Sequence, residues 1–162
     1  MAIGSAQAVR LLAELLEMDY VARQRRRSSS LVQKQRRAAI VRELQVWALA
    51  RQQGPQGTTL REHPRAAVKL RVELIGGPRP VALASDSLAV GGISVSISFQ
   101  PKAGDLLPLR LVPTQPEEPV AVTGEVIWYD PFRGRAGLRF LELSEDARAL
   151  IERLVFADLI RP

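Results

Sequence analysis

The first third of the chain has the hydrophobic spacing of amphipathic helices. No glycine or proline occurs from Ser5 to Gln53, and the serines at 28–30 predict a junction between two helices. Apolar residues recur three or four positions apart at Ala6, Val9, Ala13, Leu16 and Tyr20, with Leu12 and Leu15 widening the stripe, and again at Ile40, Val41, Leu44, Trp47 and Ala48. This pattern predicts two helices, or one long broken helix, over residues 5–53. Their apolar stripes either cover the following domain or pair with a second copy.

After Gly54-Pro55-Gln56-Gly57 the period changes to that of β-strands. Apolar and polar residues alternate from Val68 to Leu74, and similar short segments follow with turn residues between them. The predicted strands are 68–74, 81–84, 93–97, 107–112, 120–128 and 137–141, with Gly124 as a bulge. Because no helical pattern separates these strands, they predict a small antiparallel barrel.

The chain ends in a predicted helix. Ser144 is a good N-cap, and Glu145 and Asp146 favour the positive end of the helix dipole. The fold class is therefore mainly β with α: a six-stranded antiparallel barrel plus a C-terminal helix, preceded by an amphipathic helical extension. The predicted domains are a basic helical arm for oligomerisation or partner docking (1–53), a linker (54–60), and the barrel with its C-terminal helix (61–162).

Composition narrows the chemistry. Of the 162 residues 46% are hydrophobic and only 5% aromatic, so aliphatic side chains must fill the core. The chain has no cysteine and one histidine, His63, which excludes disulfides, thiolate metal sites and cysteine nucleophiles. There is no nucleophile–base pair and no glycine-rich phosphate loop with a lysine, so we expect neither an enzyme, a cofactor nor a metal. No segment resembles a membrane span or a secretory signal, so we expect a cytoplasmic protein.

The positive charge is concentrated in the helical arm. Residues 1–53 hold 10 basic and 4 acidic side chains, whereas residues 54–162 hold 13 of each, for a net charge of +6. The run from Arg23 to Arg42 contains eight basic residues and no acid. Such a run can bind phosphates non-specifically, but it has no interleaved aromatic residues to stack on bases. A solvated helix face, or a surface for an acidic partner, is therefore the favoured interpretation over nucleic-acid binding.

The segment Arg61-Glu62-His63-Pro64-Arg65 is the strongest candidate for a binding site. Its two arginines are four residues apart, just before the first predicted strand. Pro64 disfavours helical geometry at His63, so the two guanidinium groups can converge on one ligand from an extended or turned segment. Arginine suits phosphate and the O6/N7 edge of guanine. The ordinary alternative is that Arg61 pairs with Glu62 or another surface acid.

Residues 61–158 resemble the PilZ domain, a bacterial receptor module for the second messenger cyclic di-GMP. The resemblance rests on five segments in order, which are Arg61–Arg65, Gly91-Gly92-Ile93, Gly124–Trp128, Gly137–Phe140 and Leu143-Ser144. It implies a six-stranded barrel with a C-terminal helix and cyclic di-GMP as regulatory ligand. The helical arm has no counterpart in the minimal domain.

The ligand motifs of that family are matched unevenly. Arg61 and Arg65 fit the R-x-x-x-R motif, whose arginines in relatives hold phosphates and guanine. In the D/N-x-S-x-x-G motif Gly92 fits, but Ser87 stands at the acid or amide position and Ala89 at the serine position. Asp86 is one residue early, on the opposite strand face unless a bulge intervenes. A lost charge-assisted hydrogen bond costs about 1.5–3 kcal/mol. His63 is a weaker candidate contact, and Trp128 is interpreted as core or barrel surface.

The resemblance implies a non-enzymatic cyclic di-GMP receptor. Binding at Arg61, Arg65 and Gly92 would order the linker, move the N-terminal helices and signal to a protein partner. The alternative, motivated by Ser87 and Ala89, is a degenerate PilZ-like scaffold that does not bind the nucleotide. Such a scaffold acts through protein–protein interaction or through homo-oligomers formed by residues 5–53.

Overall fold

A computed structural model describes residues 3–25, 29–52, 62–114 and 117–161. The chain divides into a helical unit, residues 1–64 and 152–162, and a barrel unit, residues 65–151. Helices α1 (Ser5–Arg25) and α2 (Leu31–Gln52) belong to the helical unit, and α3 (Glu145–Ile160) contributes residues to both units. The domain boundaries given above, at residues 53, 60 and 61, stay a prediction.

The barrel unit confirms the predicted fold class. Its strands are β1 (Arg71–Leu74), β2 (Val81–Ala89), β3 (Gly92–Ser96), β4 (Leu106–Val112), β5 (Val120–Asp130) and β6 (Arg135–Leu141). They close in the order β1-β2-β3-β6-β5-β4, and every neighbouring pair is antiparallel. Side chains at alternate positions fill the interior, and the fully buried ones include Val72, Leu88, Val95, Leu109 and Val126. The aliphatic core expected from the composition is therefore present.

Two strands carry a β-bulge, at positions that differ from the predicted one. Asp86 is the extra residue where β2 pairs with β3, and Ile127 is the extra residue where β5 pairs with β6. The predicted bulge at Gly124 is wrong, because Gly124 pairs in register with Phe140 and Leu107. Gly124 instead leaves room for the core, since an added Cβ would lie 3.2 Å from Leu138.

The strands around Ser85 also differ in length from the predicted ones. β2 continues to Ala89 through polar residues, whereas the ladder of β1 begins only at Arg71. The Ser85 hydroxyl accepts a hydrogen bond from the Leu70 amide and donates one to the Val68 carbonyl, both at 2.7 Å. At the start of β1 the hydroxyl thus adds two hydrogen bonds to the backbone contact between the Ser85 amide and the Leu70 carbonyl, at 3.3 Å. Further upstream, Ala66 forms an isolated bridge to Leu88.

The helical unit has its own apolar core. The buried residues come from α1, α2 and the end of α3, and they are Ala8, Leu11, Leu12, Leu15, Ile40, Leu44, Trp47, Ala48 and Phe156. The stripe predicted for α2 is therefore buried. On α1 the prediction holds for Leu12 and Leu15, which are buried with Leu11, whereas the other residues of the predicted stripe, at positions 6, 9, 13, 16 and 20, are exposed. The predicted junction is confirmed at Ser30, which forms a reciprocal capping box with Gln33.

Three buried charged residues and the half-buried Arg37 lie together in the helical unit. Asp19 receives hydrogen bonds from Arg37 at 2.7 and 3.0 Å and from Arg153 at 2.7 Å, while Arg37 also reaches Glu152 at 3.1 Å. We call these four residues the Asp19 cluster. Burial by itself raises the pKa of Asp19, but the hydrogen bonds and charges of the two arginines together have the larger, opposite effect. The pKa of Asp19 is therefore below its ordinary value. The pKa of Arg37 is raised, because its two acidic partners outweigh its burial.

Helix α3 begins as predicted. The Ser144 hydroxyl accepts a hydrogen bond from the Ala147 amide at 3.1 Å, and Glu145 and Asp146 occupy the first turn. Ala147, Leu150 and Ile151 are fully buried, as the spacing of apolar residues indicates.

Candidate functional site

The structure places the predicted binding residues in both units. Arg61 lies outside the described residues. His63 belongs to the helical unit, where its Nδ1 is 3.0 Å from the Gln45 side-chain amide, which also donates to the Glu62 carbonyl at 3.2 Å. Ser87, Ala89, Gly92 and Arg65 all belong to the barrel unit. The candidate site is therefore the one on the barrel unit.

Strand register brings these residues together on the outer face of the barrel. In one cross-strand row Ser87 lies opposite Ser94, which lies opposite Gly137. In the next row Ala89 lies opposite Gly92, which lies opposite Arg139. The residues between them, Leu88, Ile93 and Leu138, point inward and are buried. The five small residues Ser87, Ala89, Gly92, Ser94 and Gly137 therefore form a patch of short side chains on the outer side, which we call the floor. Ala89, Ser94 and Gly137 are themselves buried there.

Two side chains mark the ends of the floor. Arg65 is exposed and directly precedes Ala66, whose bridge to Leu88 places Arg65 beside Ala89 at one end. Trp128 lies opposite Gly137 at the other end and is 43% exposed. Arginine and tryptophan both offer flat surfaces on which a purine can stack.

Glycine is required at two positions of the floor. A Cβ added to Gly92 would lie 2.2 Å from the Leu138 carbonyl oxygen, so only glycine allows the two backbones to approach this closely. A Cβ added to Gly137 would lie 2.1 Å from the Trp128 indole nitrogen. The indole therefore lies directly over the Gly137 backbone. Trp128 was not among the residues predicted for the site, because its position opposite Gly137 depends on the bulge at Ile127.

Two ion pairs border the floor. The Arg135 Nε lies 2.6 Å from an Asp86 carboxylate oxygen, in a contact whose angle is not that of a linear hydrogen bond. Arg139 pairs with Glu125 across β5 and β6. Arg135 faces outward because its neighbour Ala136 is buried, so the bulge at Asp86 brings that carboxylate to the outer face next to Ser87. The sequence predicted the opposite face for Asp86 unless a bulge intervened, and the extra residue in β2 is that bulge.

Three arginines of the basic run form contacts within the helical unit. Arg36 forms a bidentate pair with Glu14 at 2.7 and 2.8 Å, which lowers the pKa of Glu14. Arg37 belongs to the Asp19 cluster, and Arg23 donates to the Asp19 carbonyl at 3.4 Å. These contacts favour a structural role for Arg23, Arg36 and Arg37 over non-specific phosphate binding.

Within residues 3–25, 29–52, 62–114 and 117–161, no group of histidine, cysteine or acidic side chains is arranged to hold a metal ion. Among the helices described there, none combines the length and the apolar content that crossing a bilayer requires.

Comparison with solved structures supports the fold. The inhibitor of motility from Bacillus subtilis is 17% identical over 61% of this chain and 50% of its own, with a TM-score of 0.52. YcgR from Escherichia coli, solved in complex with cyclic di-GMP, is 15% identical over 61% of this chain and 46% of its own, with a TM-score of 0.50. The chain thus matches about half the length of these relatives, and identities this low establish the fold alone.

A third solved structure covers more of the chain, but its backbone is less similar to that of this chain. It is a tetrameric PilZ-domain protein from Xanthomonas campestris, self-assembled through a helical bundle, and it is 20% identical over 94% of this chain and 75% of its own. Its TM-score is 0.38, which is too low to establish a common arrangement of the helices. No curated protein matches the sequence significantly. The PilZ domain profile matches residues 59–157, more than half of the chain, so the chain belongs to the PilZ domain family.

Proposed function

We propose that the outer face of the barrel unit binds cyclic di-GMP and that the chain is a non-enzymatic receptor for it. PilZ domains are regulatory binders of this nucleotide, generally without enzymatic activity. The observation that supports the proposal is the floor, where five small residues on neighbouring strands lie between Arg65 and Trp128. Cyclic di-GMP has two planar guanines and two charged phosphates, which suit a surface of short side chains with cationic and aromatic groups at its border.

Arginines supply the phosphate contacts in this proposal. Arg65 lies beside Ala89 at the end of the floor, and its guanidinium offers bidentate hydrogen bonds to a phosphate. Arg61 is the other arginine of the R-x-x-x-R motif, and the sequence assigns it the same role. Trp128 stacks on a base at the opposite end. His63, which is hydrogen-bonded to Gln45, is assigned no direct contact with the nucleotide.

Asp86 supplies the acidic group that position 87 lacks. The bulge places its carboxylate beside Ser87, where it can accept hydrogen bonds from guanine N1–H and the exocyclic amine. Its present partner is Arg135, so binding requires an exchange in which Asp86 turns to the base. The released Arg135 then faces the O6/N7 edge of guanine or a phosphate. The exchange conserves the number of charged contacts, which keeps its cost low.

Signalling to a protein partner follows from the order of the elements along the chain. The linker lies between the helices and the barrel, and ligand contacts to Arg61 and Arg65 would order it and move the helices. Residues 53–61 lie outside the described residues, so this step of the proposal rests on the sequence. It makes the arm the output surface of the receptor.

Titration calorimetry of the full chain with cyclic di-GMP tests the proposal. We expect binding by the wild-type chain and a loss of at least about a hundredfold in Arg65→Ala, because a charge-assisted bidentate contact disappears. Arg61→Ala should behave alike. The matched control is Arg79→Ala, since Arg79 is also exposed but precedes the far end of β2.

Two outcomes contradict the proposal. One is the absence of a heat signal from the wild-type chain at high micromolar ligand. The other is unchanged affinity in Arg65→Ala, which would show that the nucleotide binds elsewhere.

The second candidate function is a scaffold that does not bind the nucleotide. It is favoured by Ser87 and Ala89 in the motif positions and by the engagement of Asp86 with Arg135. The double variant Ser87→Asp/Ala89→Ser restores the family motif. Binding by this variant but not by the wild-type chain would establish the scaffold, whose output would then be protein interaction or oligomerisation through residues 5–53.

A further inference from the structure

Helix α1 presents an apolar stripe to solvent on the side away from its buried leucines. The stripe consists of Ala6, Val9, Ala13, Leu16 and Tyr20, all of which are exposed, and we call it the outer stripe. Val9, Leu16 and Tyr20 are 51%, 40% and 57% exposed. The spacing alternates between three and four residues, which is the a/d repeat of a helix that packs along another helix. Contiguous apolar surface of this kind marks an interaction site.

Two opposite charges border the outer stripe on one edge. Arg10 and Glu17 directly follow Val9 and Leu16, so they lie seven residues apart on the same edge. Neither takes part in a hydrogen bond or an ion pair within the part of the chain that the structure describes. Glu14, by contrast, is held by Arg36 of α2. The positions of Arg10 and Glu17 therefore indicate the direction in which a partner helix packs on the outer stripe.

We infer that the outer stripe binds the outer stripe of a second copy in antiparallel orientation. In that register Ala13 packs against the partner's Leu16, so a small side chain meets a large one. Val9 packs against the partner's Tyr20 in the same way. Arg10 lies beside the partner's Glu17, and the twofold axis repeats the contact with the roles exchanged.

A parallel pair lacks this complementarity. In parallel packing the edge positions meet residues five earlier on the partner helix. Arg10 would then meet the partner's Ser5, and Glu17 would meet the partner's Leu12, so neither charge finds an opposite. Charge complementarity therefore selects both the occupant, a second copy of this chain, and its direction.

The size of the outer stripe predicts a reversible dimer. From Val9 to Tyr20 the stripe is about 17 Å long at 1.5 Å per residue. One helix face of that length buries less than the roughly 800 Å² per partner that is typical of stable complexes. We therefore expect a monomer–dimer equilibrium that depends on protein concentration.

Sedimentation equilibrium of the full chain from micromolar to millimolar concentration tests the inference. We expect Leu16→Lys to weaken the dimer at least about tenfold, because it places a charge in the apolar interface. Leu16 lies outside the core of the helical unit, so the variant should retain its fold and its thermal unfolding curve. The matched control is Val46→Lys, which puts the same charge at an exposed valine of α2 and should leave the dimer unchanged.

Charge reversal tests the direction. Arg10→Glu and Glu17→Arg should each weaken the dimer about fivefold, since each sets like charges against each other in both symmetric contacts. The double reversal restores opposite charges and should return the affinity to within about twofold of the wild type. The inference is overturned if the wild-type chain stays monomeric throughout, if Leu16→Lys has no effect, or if the double reversal fails to restore association.

Cross-linking gives an independent measure of orientation, because the chain has no cysteine of its own. A mixture of Val9→Cys and Tyr20→Cys chains should oxidise to disulfide-linked heterodimers in the antiparallel register. Val9→Cys alone should not cross-link, since its two copies lie about 16 Å apart along the axis. Efficient cross-linking of Val9→Cys to itself would overturn the antiparallel assignment.

Discussion

The helical unit and the barrel unit use their charged residues in opposite ways. In the Asp19 cluster both carboxylates and the Arg153 guanidinium are buried, with Asp19 and Arg153 only 7% and 6% exposed, and Arg37 is half-buried. At the border of the floor, Asp86 and Arg135 keep about a third of their side-chain surface in contact with solvent. The first arrangement fixes helices against each other, and the second holds charges where another ligand can replace the partner.

The difference follows from the cost of separating the partners. A buried charge that loses its partner has no water to replace it, so the whole cluster must remain intact. A half-exposed charge regains hydration when its partner leaves, so the pair can exchange at little cost. The distances between charged atoms are short in both places, at 2.7 Å for Arg153 and Asp19 and 2.6 Å for Arg135 and Asp86. Distance alone therefore does not distinguish a structural ion pair from a functional one.

The largest expected effect comes from Asp19→Asn. The substitution leaves Arg153 buried without its carboxylate partner, and we expect the free energy of unfolding to fall by about 3–5 kcal/mol. Urea unfolding, followed by Trp47 fluorescence in a Trp128→Phe background, measures it. The matched control is Glu14→Gln, which removes an exposed bidentate pair and should change stability by little more than the experimental error. Equal effects of the two variants would contradict the distinction drawn between the regions.

Acid should affect the helical unit through the same residue. The pKa of Asp19 is lowered in the folded chain, so its carboxylate stabilises the fold above the unfolded-state value of about 3.9. This stabilisation is lost as the pH falls below about 4 and through the lower folded pKa. Unfolding free energies between pH 7 and pH 2 should therefore decline more steeply in the wild-type chain than in Asp19→Asn. Parallel curves would show that other carboxylates account for the acid sensitivity.

A smaller loss is expected when a neutral polar contact in the barrel is removed. Ser85→Ala leaves the Leu70 amide without its acceptor, and we expect a loss of about 1–3 kcal/mol. Trp128 fluorescence in a Trp47→Phe background follows the barrel during unfolding. Ser96→Ala on the exposed face of β3 is the control and should be neutral. A neutral Ser85→Ala would mean that water takes over the contacts of the hydroxyl.

The smallest effect on stability is expected for Asp86→Asn. Removing one charge from a partly exposed pair should cost less than about 1 kcal/mol in unfolding free energy. If Asp86 accepts from guanine, the same variant should bind cyclic di-GMP about tenfold more weakly in calorimetry. A large loss of stability with unchanged affinity would assign the pair to the structure of the barrel and remove it from the proposed site.

Periodicity predicted most of the fold, and it failed where a local feature overrode the pattern. The six strands and the final helix follow from alternation, turn residues and Ser144. On α1 two apolar stripes compete, and the sequence cannot tell which one faces the core, so the exposed residues at 9, 16 and 20 were predicted to be buried. The sequence alone also could not predict the bulge at Asp86, because the bulge depends on how β2 pairs with β3. The contribution of Trp128 to the site emerged only from its register with Gly137.

Closure of the barrel restricts how a partner can recognise this protein. Each of the six strands is hydrogen-bonded on both sides, since β4 returns to β1 and completes the ring. Among the strands that the structure describes, none is left as a free sheet edge, so a partner strand cannot extend the sheet along the full length of any of them. The closed ring therefore favours partners that dock through side chains.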